Sequence, residues 1–282
     1  EKGEIVAMTG DGVNDAPALR AASIGVAVGS GTEVAKEAAD LVLINDSFSI
    51  ITAAIEEGRR IIDNLKKIIA YLLASSFSEI FVIKGALLLG APLPLLPTQI
   101  LWAKIVEEGL MSFSFAFEKQ DPNAMKRDPR SAVAKDILTS RLRTLIIIVS
   151  TVSGLLSVGL FFLLYYGLNI PLDEVRTMMF VAISLDAIFI AMSLKSLDTP
   201  LWKINPFTNT YLVVALGASI GSLLLALTFD PLQRLLSLSD LNTFEVLILF
   251  GVGLVNLATI ELAKYFLFER FHERATKEKT KE

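Results

Sequence analysis

Six stretches dominate this chain, each close to the ~20 residues that cross a hydrocarbon core. They are Ile68–Leu89, Thr98–Phe117, Thr144–Tyr166, Val175–Leu194, Tyr211–Phe229 and Phe244–Phe266. No water reaches backbone groups inside a bilayer, so stretches of this kind fold as helices. The overall composition agrees: 53% of residues are hydrophobic and the mean hydropathy is +0.57, above the ~45–50% apolar content of soluble domains. The connections alternate in charge. Arg59, Arg60, Lys66 and Lys67 precede the first stretch, and seven Lys or Arg between Lys119 and Arg143 separate the second from the third. Lys195 and Lys203 follow the fourth, and a charged tail follows the sixth. The positive-inside rule then places both termini in the cytoplasm of a multi-pass protein, expected in the cell membrane.

Residues 1–47 read differently. Ile5–Met8, Ile24–Val28 and Leu41–Ile44 are short apolar runs expected as parallel strands, with helices around Ala16–Ala22 and Thr32–Ala38 between them. The segment is a partial α/β domain, too short for a comfortable core of its own. Between the first strand and helix, Gly10 and Gly12 permit a tight turn carrying Asp11, Asn14 and Asp15. Two carboxylates suit Mg2+, which commonly takes one or two together with phosphate oxygens. Asn14 can donate to a phosphate oxygen. Either Asn14 or Asp15 can cap the following helix, with Pro17 in its first turn. Residues 48–67 are expected as a stalk helix leading into the six-helix membrane domain at 68–266, with a charged tail at 267–282.

Charges inside spans are costly and default to function. The first span carries Ser75, Ser76 and Glu79, the second Lys104, Glu107 and Glu108, and the fourth Asp186. Ser75 and Ser76 share a helical face with Glu79, and Lys104 shares one with Glu107 and Glu108 unless Gly109 breaks the helix. Lys84 either snorkels to an interface or serves function. Gly217 and Gly221 fit a small-xxx-small packing pattern, and Trp102 and Trp202 fit interface or packing roles.

The run Met8-Thr9-Gly10-Asp11-Gly12-Val13-Asn14-Asp15-Ala16-Pro17-Ala18-Leu19 resembles the end of the phosphorylation domain of P-type ATPases, the ATP-driven cation pumps. The likeness continues through Gly25-Val26-Ala27-Val28-Gly29-Ser30-Gly31-Thr32 and Ala39-Asp40-Leu41-Val42-Leu43. It implies a Rossmann-type segment of the haloacid-dehalogenase-like class, Mg2+ at Asp11 and Asp15, a phosphoryl contact from Asn14, and ATP as the fuel. Six spans after this loop match the last six of ten in type II and type III pumps and argue against the heavy-metal branch.

Tyr71-Leu72-Leu73-Ala74-Ser75-Ser76-Phe77-Ser78-Glu79 resembles the fifth span of the calcium-pump branch. Gln99-Ile100-Leu101-Trp102-Ala103-Lys104-Ile105-Val106-Glu107-Glu108-Gly109-Leu110 resembles its sixth, and Asp121 to Arg130 the loop that follows. By that likeness Glu79 matches a calcium-ligating Glu, Glu108 stands at a ligating Asp, and Asp186 at a ligating Glu. Ser76 and Lys104 replace asparagines, and Glu107 replaces a threonine. A lysine offers no lone pair to a cation while protonated. The proton-pumping members of the family similarly keep a basic side chain near the transported site.

The Asp-Lys-Thr-Gly-Thr phosphorylation motif is absent from the chain, which starts at Glu1. The expectation is therefore the C-terminal part of a pump, inactive alone. Its partners are the transported cation (Ca2+, H+ or another small cation), the bilayer, and the missing actuator, nucleotide-binding domain and first four spans. A different class of function is a non-catalytic membrane remnant or partner-binding subunit. The absence of cysteine excludes disulfides and thiolate metal sites. The single histidine, His272, reads as a solvated tail residue, and the basic segments as topology signals rather than nucleic-acid sites.

Overall fold

Glycine-bounded apolar runs near the start of the chain form β1 (Ala7–Gly10), β2 (Ile24–Val28) and β3 (Leu41–Leu43). The computed structural model describes residues 5–45, 47–121, 124–127 and 136–266. It divides into a first unit, Glu1–Arg59, and a second, Arg60–Glu282. In the first unit the sheet order is β1-β2-β3, all parallel, with Ala7 opposite Ile24 and Val26 opposite Leu41. Helix α1 (Ala16–Ala21) joins β1 to β2, and α2 (Glu33–Ala38) joins β2 to β3. A small core of Leu19, Ala27, Ala35 and Ala38 lies between helices and sheet. The first strand lies two residues later than the apolar run at Ile5 suggests. Ladder pairing begins at Ala7, and Ile5 remains 78% exposed.

Helix α3 is continuous over Phe48–Leu88, so the expected stalk and first span form one element. Apolar and polar residues both keep helical spacing through it, and no proline interrupts it. It ends where Gly90 takes φ +69°, a left-handed conformation suited to glycine. That turn lets Ala91 N–H reach the Ala86 carbonyl at 2.9 Å.

The second apolar stretch is built in three parts: α4 (Pro97–Trp102), a π turn (Ala103–Glu108) and α5 (Gly109–Phe115). The backbone stays helical at both junctions. The Gly109 N–H bonds to the Lys104 carbonyl, five residues back, which defines the wider turn. The remaining long helices are α6 (Ser140–Phe162, continued by a π turn at Leu163–Gly167), α7 (Leu172–Leu194), α8 (Thr210–Thr228) and α10 (Thr243–Lys264), with short α9 (Asp230–Leu236) before the last. Five helices among the described residues are long and apolar enough to cross a membrane. The second expected stretch, 98–117, falls outside that set because the π turn, with its three charges, divides it.

Helix α7 is the centre of the second unit, with 89% of its most apolar stretch buried. Two clusters pack on it. One gathers Tyr71, Met111, Phe115, Val149 and Leu194, and the other Val82, Phe161, Met179, Phe180 and Leu249. By contrast α8 and α10 bury only 28% of theirs and turn residues such as Val214, Leu224, Leu247 and Val255 outward, as expected of lipid-facing helices.

Close backbone approach occurs where the sequence pattern does not flag it. A Cβ on Gly154 would lie 2.5 Å from Phe81 Cβ, and one on Gly253 would lie 2.5 Å from the Phe189 ring. Gly217 and Gly221 meet no described atom within 4 Å, so the small-xxx-small pattern makes no helix contact among the described residues. The expected tail, including His272, lies outside the described residues.

Candidate functional site

Two sites emerge, one in each unit. In the first unit the turn after β1 is closed by one carboxylate. Asp15 Oδ2 accepts from Asp11 N–H at 3.1 Å and Gly12 N–H at 3.0 Å. Those two amides hold the Asp15 carboxyl below the ordinary carboxylate range, the Gly12 bond being the larger cause and the Asp11 bond the next. The distant Gly31-Thr32 pair completes the turn. Thr32 N–H reaches the Asp11 carbonyl at 2.8 Å, and the Thr32 hydroxyl caps α2 by accepting from Ala35 N–H at 3.3 Å.

Asp15 occupies the N-cap position of α1, yet its side chain makes no capping bond. The expectation of a side-chain cap from Asn14 or Asp15 is corrected, because the Asp15 carboxylate turns back to the loop amides. Asp11 and Asn14 are exposed. The donor set fits Mg2+ in part: Asp11 presents a solvent-facing carboxylate, and Asp15 keeps its second oxygen after satisfying the amides. Two carboxylates beside a strand end suffice for a magnesium ion that also holds phosphate and water. No group of three or more His, Cys, Asp or Glu suited to a metal occurs among the described residues.

In the second unit α3 and the π turn face one another across a polar centre. Lys104 Nζ lies 2.7 Å from Glu108 Oε1 and 3.0 Å from Glu79 Oε1. It also donates to Ser76 Oγ at 3.3 Å, while Ser75 Oγ donates to Glu108 Oε2 at 2.9 Å. Glu79 and Glu108 are buried, whereas the Lys104 side chain keeps 28% exposure. Of the seven residues expected in the membrane pathway, the structure brings these five together.

The other two sit apart from the ion pairs. Glu107 is fully buried, and neither carboxylate oxygen has a hydrogen-bond partner among the described residues. The shared face expected for Lys104, Glu107 and Glu108 holds only for the i, i+4 pair, because the π turn brings residues four and five apart into line rather than three. Asp186 instead accepts from Asn256 Nδ2, which also donates to Ser153 Oγ at 2.7 Å. Asn256 on α10 and Ser153 on α6 were not flagged from sequence. The available signal was a lone amide inside an apolar helix, of the kind that membrane interiors tolerate only with a partner. Lys84 is exposed and belongs to neither group.

Two further buried networks tie helix ends. Glu118 receives Lys195 Nζ at 2.5 Å and Asn209 Nδ2 at 2.9 Å. Lys264 Nζ reaches Glu261 Oε1 at 2.8 Å and the Ser193 carbonyl at 2.7 Å. Each pairs a fixed charge with several hydrogen bonds, the condition under which buried ions are tolerated.

The first unit thus holds a strand–loop–helix turn with two carboxylates, and the second holds apolar helices with paired charges between them. Comparison with known proteins places the chain in its family. Residues 92–266 match the cation transporting ATPase C-terminus, and residues 2–53 match the haloacid dehalogenase-like hydrolases. The chain is 37% identical over 90% of its length to a calcium-transporting ATPase of Bacillus subtilis, spanning 28% of that protein. It is 39% identical over 93% of its length to calcium-transporting ATPase 1 of Bacillus cereus, spanning 32% of it. It is 36% identical over 89% of its length to the human calcium-transporting ATPase type 2C member 1, spanning 27% of it. The chain belongs to the cation-transporting P-type ATPases and corresponds to their C-terminal part.

Proposed function

We propose that this chain supplies the Mg2+-site loop and part of the membrane cation pathway of an ATP-driven pump, which moves protons or a single cation rather than two Ca2+. The observation that carries this reading is Lys104 Nζ held between Glu79 and Glu108 at 3.0 and 2.7 Å. An ammonium offers donors only, so Lys104 acts as a tethered cation. Attraction between unit charges ~4 Å apart is on the order of 4 kcal/mol at an effective dielectric of ~20. A divalent ion entering between the two glutamates competes with that. Glu107 and Asp186 are left as buried acids without an ion-pair partner among the described residues, and Glu107, whose oxygens also lack a hydrogen-bond partner, takes the proton or cation. Ser75 and Ser76 hold the glutamate and the lysine in place.

In the first unit Asp11 and Asp15 hold Mg2+ and Asn14 contacts the phosphoryl group of the ATP-derived intermediate. Mg2+, when bound, offsets charge on the transferred group. The residues here bind and orient: Asp15 keeps the loop folded through the Asp11 and Gly12 amides, leaving Asp11 facing solvent. The phosphoryl-accepting motif, the nucleotide-binding and actuator domains and four further spans come from outside these residues, so the isolated chain is inactive toward ATP. Both termini face the cytoplasm of the cell membrane.

The test is transport by the complete pump in sealed vesicles. The expected result is proton movement, or at most one Ca2+ per ATP, and a Lys104→Asn variant that gains Ca2+ dependence. Two Ca2+ per ATP, unchanged by Lys104→Asn, overturns the reading.

A further inference from the structure

A cavity of about 790 Å³ opens in the second unit, where the ends of four apolar stretches meet. Its walls come from the start of the first span (Lys67), the segment after the second (Lys119), the start of the third (Arg141) and the end of the fourth (Lys195). It shares no residue with the Lys104 cluster. Its size falls in the range of small-molecule sites.

The charge of its lining is unbalanced. Arg127 is held by Asp63 and Asp121, at 2.7 and 2.6 Å, and Lys195 is held by Glu118. Among the described residues, no carboxylate lies within ion-pair distance of Lys67, Lys119 or Arg141. Asp198 is the remaining acid in the wall, which also carries the cations Arg60 and Lys66. Three of the four segments thus bring to the cavity a cation that no described carboxylate pairs with. Leu142, Leu145 and Leu197 add an apolar floor. A cationic rim over apolar residues, at the level where spans end, is the chemistry of a phosphate carried on an amphiphile. Arginine and lysine together favour phosphate over carboxylate partners of lower charge.

We propose that this cavity binds a phosphomonoester, with Lys67, Lys119 and Arg141 as its ligands. Two sources share that chemistry: the headgroup of an anionic lipid such as phosphatidic acid, and soluble phosphate. Occupancy ties together the ends of four spans, so it changes the stability of the bundle. The proposal rests on the membrane placement of the helices and is independent of which ion is transported.

The experiment uses the complete membrane protein in neutral phospholipid nanodiscs, with or without phosphatidic acid, read by native mass spectrometry and thermal unfolding. One phosphatidic acid retained per protein, reduced at least tenfold in Lys119→Gln/Arg141→Gln, supports a lipid source. Stabilisation by inorganic phosphate that the same double variant loses, without any lipid preference, supports the soluble source. Asp198→Asn removes the opposing charge and should strengthen retention, which keeps the test valid if the double variant folds poorly. Lipid retention and phosphate response that are both absent, or unchanged in the double variant and in Asp198→Asn, overturn the proposal. An unchanged activity with altered lipid retention leaves the ion reading intact and separates the two.

Discussion

The Lys104 ammonium stands 3.0 Å from the Glu79 carboxylate, so a cation on the second membrane segment neutralises an acid on the first. The same ammonium reaches Glu108 one turn along its own segment, at 2.7 Å. A single lysine therefore couples α3 to the π turn through two carboxylates that are themselves buried. Removing it leaves two acids facing each other with no counter-charge.

Lys104→Asn should lower stability by roughly 1–3 kcal/mol. Breaking a buried pair costs about 3–5 kcal/mol, and the 28% exposure of the Lys104 side chain reduces that by solvent screening. Thermal unfolding in detergent measures the loss. Added Ca2+ should restore part of it in the variant and little in the parent. A variant as stable as the parent in the absence of divalent ions shows that the pair contributes nothing.

Asp15 should act as the lock of the loop. Its carboxyl is depressed below the ordinary range by two amides, so its contribution is present above the unfolded carboxylate pKa of ~3.9 and is lost as pH falls through the folded value. Hydrogen exchange at the Asp11 and Gly12 amides should accelerate in Asp15→Ala at neutral pH. In the parent the same amides should lose protection relative to the β2 ladder only in strong acid. Equal protection in parent and variant contradicts this role.

The loop and the three parallel strands were legible in the sequence because glycines and apolar runs act locally. The Thr32 cap and the turn of Asp15 back to the loop amides were not legible. The sequence put seven residues in one membrane pathway because intramembrane charges demand partners; five gather around Lys104, while Glu107 and Asp186 stand apart. What the sequence hid depends on non-local packing. The π turn at residues 103–108 contains no proline or glycine to mark it. Asn256 and Ser153 reach Asp186 from helices far along the chain. The tight glycine contacts fell at Gly154 and Gly253, where no repeated small-residue pattern marks them.

Those glycines give a direct contrast. Gly154→Ala places a methyl 2.5 Å from Phe81 Cβ, an atom fixed to the α3 backbone, so α6 or α3 must shift. Overpacking of this kind costs typically about 1–3 kcal/mol. Gly217→Ala meets no described atom within 4 Å and should be neutral or stabilising, by up to ~1 kcal/mol from helix propensity. Paired melting curves decide it, and equal effects at the two positions contradict the packing described for α6.

The Asp186–Asn256 pair is the most exacting test of the bundle. Asp186 is 7% exposed, and Asn256 donates to it. Asn256→Leu removes that donor from a buried carboxylate, and a lost partner of this kind costs about 1–3 kcal/mol, more when the group is charged. The loss should appear as a lower unfolding midpoint in detergent. Asp186→Leu combined with Asn256→Leu removes both partners and should recover most of the stability, since an apolar pair of similar volume often replaces a buried polar one at little cost. The coupling between the two substitutions is the quantity to measure. If the single and double variants lose stability additively, Asn256 serves packing alone and Asp186 is held by other means.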